Sequence, residues 1–139
     1  MNAIKAFLLF TEAIITSAYV KIILKFLPFR IALKRLGSPV SKNNEIVFLT
    51  DEDLVVIKKI QHAVRRCNKY SFWQTECYTQ ALTGKILLQR RHIKSVVHIG
   101  FKKNATSEYE GHAWLTVGDI YITGNNGVLH TYYENGAFL

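Results

Sequence analysis

Two residues in this chain have the types and settings that nucleophilic chemistry needs. Cys77 stands in Trp73-Gln74-Thr75-Glu76-Cys77-Tyr78-Thr79-Gln80-Ala81-Leu82, where a polar loop turns into a helical pattern. His112 stands in Gly111-His112-Ala113-Trp114-Leu115-Thr116-Val117, which reads as the start of a strand. A thiol attacks a carbonyl only as the thiolate, and the unpaired N–H groups at a helix start supply roughly half a positive charge that favours that form. The same N–H groups can hold an oxyanion on the attacked carbonyl. A histidine within reach can take the thiol proton and return it to a leaving amine. The competing readings are a small buried hydrophobe for Cys77 and a hydrogen-bonded strand residue for His112. Cys67, the other cysteine, falls near a helix C-terminus, where the dipole opposes ionisation, and reads as structural.

A third group would orient His112. Asp119 is close in sequence, but Gly118-Asp119 reads as a two-residue hairpin turn, which puts Asp119 on the order of 20 Å from His112 along the strand. In that register Val117 faces Ile120, Trp114 faces Thr123 and His112 faces Asn125, and opposed residues point to the same side of a sheet. Asn125 then accepts from the ring and completes a Cys–His–Asn set. A one-residue bulge would substitute Gly124 or Asn126, and Asn125-Asn126-Gly127 also reads as a plain turn. His62, His92, His98 and His130 have no comparable setting, and His98 alternates with Val97 and Ile99 as a structural strand residue would. No His/Cys spacing fits a zinc pair, and no cofactor is expected.

The elements that must position these residues follow from periodicity. Apolar residues recur at helical spacing from Asn2 to about Phe26, and Pro28 ends that helix. Phe29 to Leu36 reads as a short second helix closed by Gly37 and Pro39. Thr50 and Asp53 form a capping-box pattern for a helix to about Cys67, and the helix carrying Cys77 runs to about Arg91. The period then changes to two, giving strands over Ile93–Phe101, Glu110–Val117, Ile120–Thr123 and Val128–Tyr133. Helices followed by an antiparallel sheet make one α+β domain over 1–139, with an N-terminal helical segment (1–45) and a core (46–139).

Composition narrows the setting. Nearly half of the 139 residues are apolar, which excludes disorder, and the net charge of +8 favours acidic partners. Two cysteines without a CxxC pair fit a reduced, cytoplasmic compartment. The apolar run over residues 6–20 is interrupted by Glu12, followed by Lys21 and Lys25, and lacks a cleavage site. It reads as a core-packing helix in preference to a signal or membrane-spanning segment, with a membrane-surface role left open. Lys58, Lys59, Arg65, Arg66 and Lys69, with Arg90, Arg91 and Lys94 and the aromatics Tyr70, Phe72 and Trp73, could bind single-stranded nucleic acid, but a solvated helix end explains them more simply.

With these residues in hand, the chain resembles the leader peptidases of lasso-peptide biosynthesis, a stand-alone group of transglutaminase-like cysteine proteases. Leu27-Pro28-Phe29-Arg30-Ile31-Ala32 ending at Leu36-Gly37, Cys77-Tyr78-Thr79-Gln80-Ala81-Leu82, Leu87-Leu88-Gln89-Arg90-Arg91-His92-Ile93, Val97-His98-Ile99-Gly100-Phe101 and Gly111-His112-Ala113-Trp114-Leu115 resemble the group's motifs, in order. The resemblance implies a transglutaminase-like or papain-like core, with Cys77 as nucleophile and His112 as base, that removes the leader from a ribosomally made precursor. It also implies a separate leader-binding protein and an ATP-dependent macrocyclase as partners; no nucleic acid is expected, since no RNA-binding motif is present. The group often carries an Asp near position 124, where this chain has Gly124. The alternatives are another acyl transferase or amidase using the same pair, or a non-enzymatic binding module.

Overall fold

A computed structural model describes residues 2–28, 31–32, 34, 47–71, 77–103, 105–124 and 133–138. Helix α1 spans Ala3–Phe26, and the Asn2 side chain caps it by accepting from the Ile4 N–H at 3.2 Å. Its inward face is built of Ala13, Thr16, Ser17 and Val20 at helical spacing, small enough to let neighbouring helices approach closely. Pro28 accepts from the N–H groups of Ile31 and Ala32, which begin the expected second helix; most of Phe29–Leu36 and its closing Gly37 and Pro39 lie outside the described residues.

Helix α2 spans Asp51–Tyr70 and starts with the expected capping box: Thr50 Oγ1 accepts from the Asp53 N–H, and the Asp53 carboxylate accepts from the Thr50 N–H. It runs one turn beyond the predicted end at Cys67. Ile57, Ile60, Ala63, Val64 and Cys67 form its buried stripe.

Helix α3 spans Cys77–Gln89, and every residue from Ala81 to Leu88 is buried. The sequence suggests one apolar face, but the helix is enclosed by α1, α2 and the sheet. It ends two residues before the predicted Arg91 in a Schellman turn. The Ile93 N–H reaches the Leu88 carbonyl and the His92 N–H the Gln89 carbonyl, with His92 in the left-handed region at φ 58°. Arg91 and Arg90 just beyond the helix reach Glu12 of α1 at 2.7 and 3.2 Å, and the bond from Arg91 holds the Glu12 carboxyl below its usual range. The residue that interrupts the apolar run of α1 thus ties it to α3.

The sheet is four-stranded and antiparallel, in the order β3-β2-β1-β4, with β1 at Val96–Lys103, β2 at Tyr109–Val117, β3 at Ile120–Thr123 and β4 at Tyr133–Phe138. Val97, Ile99, Ala113, Leu115 and Val117 alternate along β1 and β2 and are buried toward the helices. Gly118-Asp119 is the expected turn, and Val117 pairs with Ile120. The register then slips, so that Thr123 pairs with Leu115 where an unbroken ladder would give Trp114. The last strand shares only Tyr133 with its prediction, because pairing with β1 draws Tyr133–Phe138 into the sheet; residues 128–132 lie outside the described residues.

One buried group is costly. Lys85, in the middle of α3, is 3 % exposed, its Nζ donates to the Ser95 carbonyl at 3.4 Å, and burial lowers its pKa from 10.5 to about 8. Between those two values the unfolded chain holds more protons than the folded one, so this group's contribution to stability rises with pH. Lys85→Met should raise Tm at pH 7, and its advantage should shrink as pH climbs from about 8 to 10.5. Parallel melts of both proteins would check this, and a pH-independent gap would show the ammonium to be well accommodated.

Candidate active site

Cys77 is the first residue of α3 and is half-buried. Cys67 is buried in α2, with its Sγ 3.8 Å from the Ala13 carbonyl, and desolvation pushes its thiol pKa up. Cys67 is thus a packed structural thiol, as its setting in the sequence suggests, while Cys77 is less buried.

Three contacts place the start of α3 relative to His112. Gly84 lies against the sheet so closely that a Cβ there would come within 2.7 Å of Leu115 Cδ2 on β2, with Ile122 and Thr123 of β3 next to it. Gln80, one turn earlier on the same helical stripe, shares a cavity of about 270 Å³ with Arg65, Tyr121, Thr123 and Gly124. Cys77 belongs to that stripe, since positions i, i+3 and i+7 lie on one face of a helix. Finally, the Tyr78 hydroxyl occupies the space that a side chain at Gly111 would need. The neighbours of Cys77 and His112 are thus in contact, and α3 begins at the end of β2 that carries His112.

His112 is half-buried beside Trp114, with ring centroids 6.0 Å apart at an interplanar angle of 23°. Trp114 also stacks on His98 at 5.4 Å and 6°, and His98 Nε2 lies 2.8 Å from Thr116 Oγ1, which gives His98 the structural setting its strand pattern suggests. His112 Nε2 meets the backbone carbonyl of Gly124 at 2.7 Å. A carbonyl oxygen only accepts, so Nε2 carries the hydrogen and the neutral ring presents Nδ1 as its basic nitrogen.

Gly124 reaches this place because it is glycine. Its φ is +78°, and a Cβ would come within 2.6 Å of the Ala113 carbonyl and 2.7 Å of Trp114 Cβ. The slip in β3 changes which residue arrives opposite the start of β2. The unbulged register points to Asn125, and an extra residue in β3 moves that position to Asn126; the group bonded to the ring is instead the Gly124 carbonyl, from a residue packed on Trp114. Asn125 and Asn126 lie outside the described residues. Asp119 sits exposed in the hairpin turn at the other end of β2. Among the described residues no group of three His, Cys, Asp or Glu side chains could hold a metal ion.

Tyr78, Gly111 and the Gly124 carbonyl carry no chemical signal of their own in the sequence. The steric fit of the first two depends on how α3 meets β2, and the third is a backbone atom. No curated protein and no solved structure matches the chain. A profile described as transglutaminase-like superfamily matches residues 23–135, a span that holds Cys77, His112, α2, α3 and strands β1 to β3. The α+β order of the elements agrees with that core, and the superfamily generally includes cysteine peptidases and transferases. With the profile covering most of the chain, this protein belongs to the transglutaminase-like superfamily.

Proposed function

We propose that the protein is a cysteine peptidase that cleaves the leader from a ribosomally synthesised lasso-peptide precursor. The observation that carries the enzymatic part is the packing of the Tyr78 hydroxyl on Gly111, which brings the flanks of Cys77 and His112 together. Superfamily membership supports thiol chemistry, and the ordered motifs from Leu27 to Leu115 support the leader-peptidase assignment. On this reading the protein works in the cytoplasm with a separate leader-binding protein and an ATP-dependent macrocyclase.

The thiol proton of Cys77 passes to His112 Nδ1 as the sulfur attacks the scissile carbonyl. The N–H groups at the start of α3 favour the thiolate and the oxyanion that follows. Nδ1 returns the proton to the leaving nitrogen, the C–N bond breaks, and a thioester remains on Cys77. Water, losing a proton to the same Nδ1, hydrolyses the thioester to the leader carboxylate and restores the thiol pair. The Gly124 carbonyl holds the ring in the tautomer this cycle requires.

Cys77→Ala and His112→Ala should each abolish release of the leader from a full-length precursor, measured by mass spectrometry with the leader-binding protein present, while the far-UV circular dichroism stays unchanged. Residual cleavage by the Cys77 variant at the wild-type rate would end the assignment. An amide in place of a free carboxylate on the released leader would identify an acyl transferase.

Alkylation of the native protein at neutral pH should modify Cys77 first and leave Cys67 untouched until denaturant is added, because Cys67 is 2 % exposed. Peptide mapping gives the order, and the reverse order would contradict it.

Gly111→Ala should lower kcat/KM by about tenfold or more, since it displaces Tyr78 at the start of α3. Tyr78→Phe removes the clashing hydroxyl, so the double variant should recover part of the loss. Additive losses would show that the two positions act independently.

A further inference from the structure

The outward face of α1 is the largest apolar feature among the described residues that the site does not use. Ile4, Leu8, Ile15, Tyr19, Ile22 and Phe26 are each more than half exposed. At roughly 100° per residue they fall within about 60° of one another, opposite the buried Ala13, Thr16, Ser17 and Val20, and Phe7 borders the stripe. From Ile4 to Phe26 the stripe runs about 33 Å. A soluble surface helix shows the reverse pattern, polar outward and large apolar inward. Here the small residues face in and the large ones face out.

We infer that α1 is a docking surface for an anionic lipid bilayer, lying in the plane of the interface. Charge selects this occupant. Lys5 and Lys25 border the stripe, Arg90 stands beside it at Glu12, and Arg66 sits 4.9 Å over the Phe10 ring on the far side of the helix. The helix's one acidic residue, Glu12, is engaged by Arg90 and Arg91. A second copy of the chain would set two molecules of net charge +8 against each other along these basic borders, whereas lipid phosphates neutralise them. The helix is long and apolar enough to cross a membrane by length and composition alone. Its inner face, however, is packed on α2 and α3 and tied by Glu12 to Arg91, which keeps it on the body of the protein and favours lying on the surface over spanning. This inference needs no assumption about Cys77.

Flotation of the full chain with vesicles tests it. The protein should float with vesicles enriched in phosphatidylglycerol and far less with phosphatidylcholine alone, and added salt should weaken the association. Ile15→Glu with Ile22→Glu should reduce binding by about tenfold or more while leaving Tm nearly unchanged, because both side chains are exposed. If that pair lowers Tm, Ile15→Ser with Ile22→Ser serves in its place. Lys5→Gln with Lys25→Gln should weaken binding and flatten its salt dependence. Wild-type protein that stays with the aqueous phase, or Glu variants that float as well as wild type, would overturn the inference. So would a dimer that the Glu variants dissociate in the absence of vesicle binding.

Discussion

The absence of a side chain at Gly84 sets the distance between α3 and the sheet. A methyl group there would collide with Leu115, a fully buried residue of β2, and the helix would have to rise off the strand. Cys77 is two turns up the same stripe, and its neighbour Tyr78 packs on Gly111 on the same helix-facing side of β2, next to His112. Enclosure of α3 on all sides then leaves it no face along which to slide, which is how a helix terminus becomes a fixed point for chemistry. That enclosure also takes in Lys85, whose lowered pKa records the cost of placing a cation in the wall of the core.

The partner of His112 has consequences for electrostatics. A carboxylate would hold the ring's tautomer and also stabilise the imidazolium by charge. The Gly124 carbonyl supplies the first effect through a 2.7 Å bond but only a dipole for the second. The geometry that delivers the carbonyl needs a left-handed residue pressed on Trp114, which glycine alone tolerates without strain.

What the sequence made legible is what local rules govern. The Thr50–Asp53 box and the Gly118-Asp119 turn each follow from a few adjacent residues, and each stands where expected. The slip in β3 is different. Nothing in Ile120-Tyr121-Ile122-Thr123 marks an extra residue, and a slip of one moves every later pairing, while the bond from His112 to the Gly124 carbonyl involves a backbone atom that no count of opposed side chains finds. Strand β4 continues beyond the expected Tyr133 for a related reason. Asn135-Gly136 carries a turn signal, yet pairing with β1 takes it into the sheet through an irregularity opposite Ile99 and Gly100. Apolar periodicity gave α3 its existence but not its complete enclosure, which depends on α1 folding back over it.

That return of α1 links the two ends of the chain's surface chemistry. Arg90 and Arg91 bind Glu12 just past the C-terminal end of α3, about 20 Å from Cys77 along a helix of this length. The ion-paired clamp thus holds the end of α3 that does no chemistry. Small residues on the inside of α1 allow the close packing, and the large ones are left pointing outward as a result. One arrangement of small and large residues along a single helix therefore both encloses α3 and creates the exposed apolar stripe, so enlarging the inner residues to bury more of α1 would lift it from α3 and loosen the enclosure around the helix that carries Cys77.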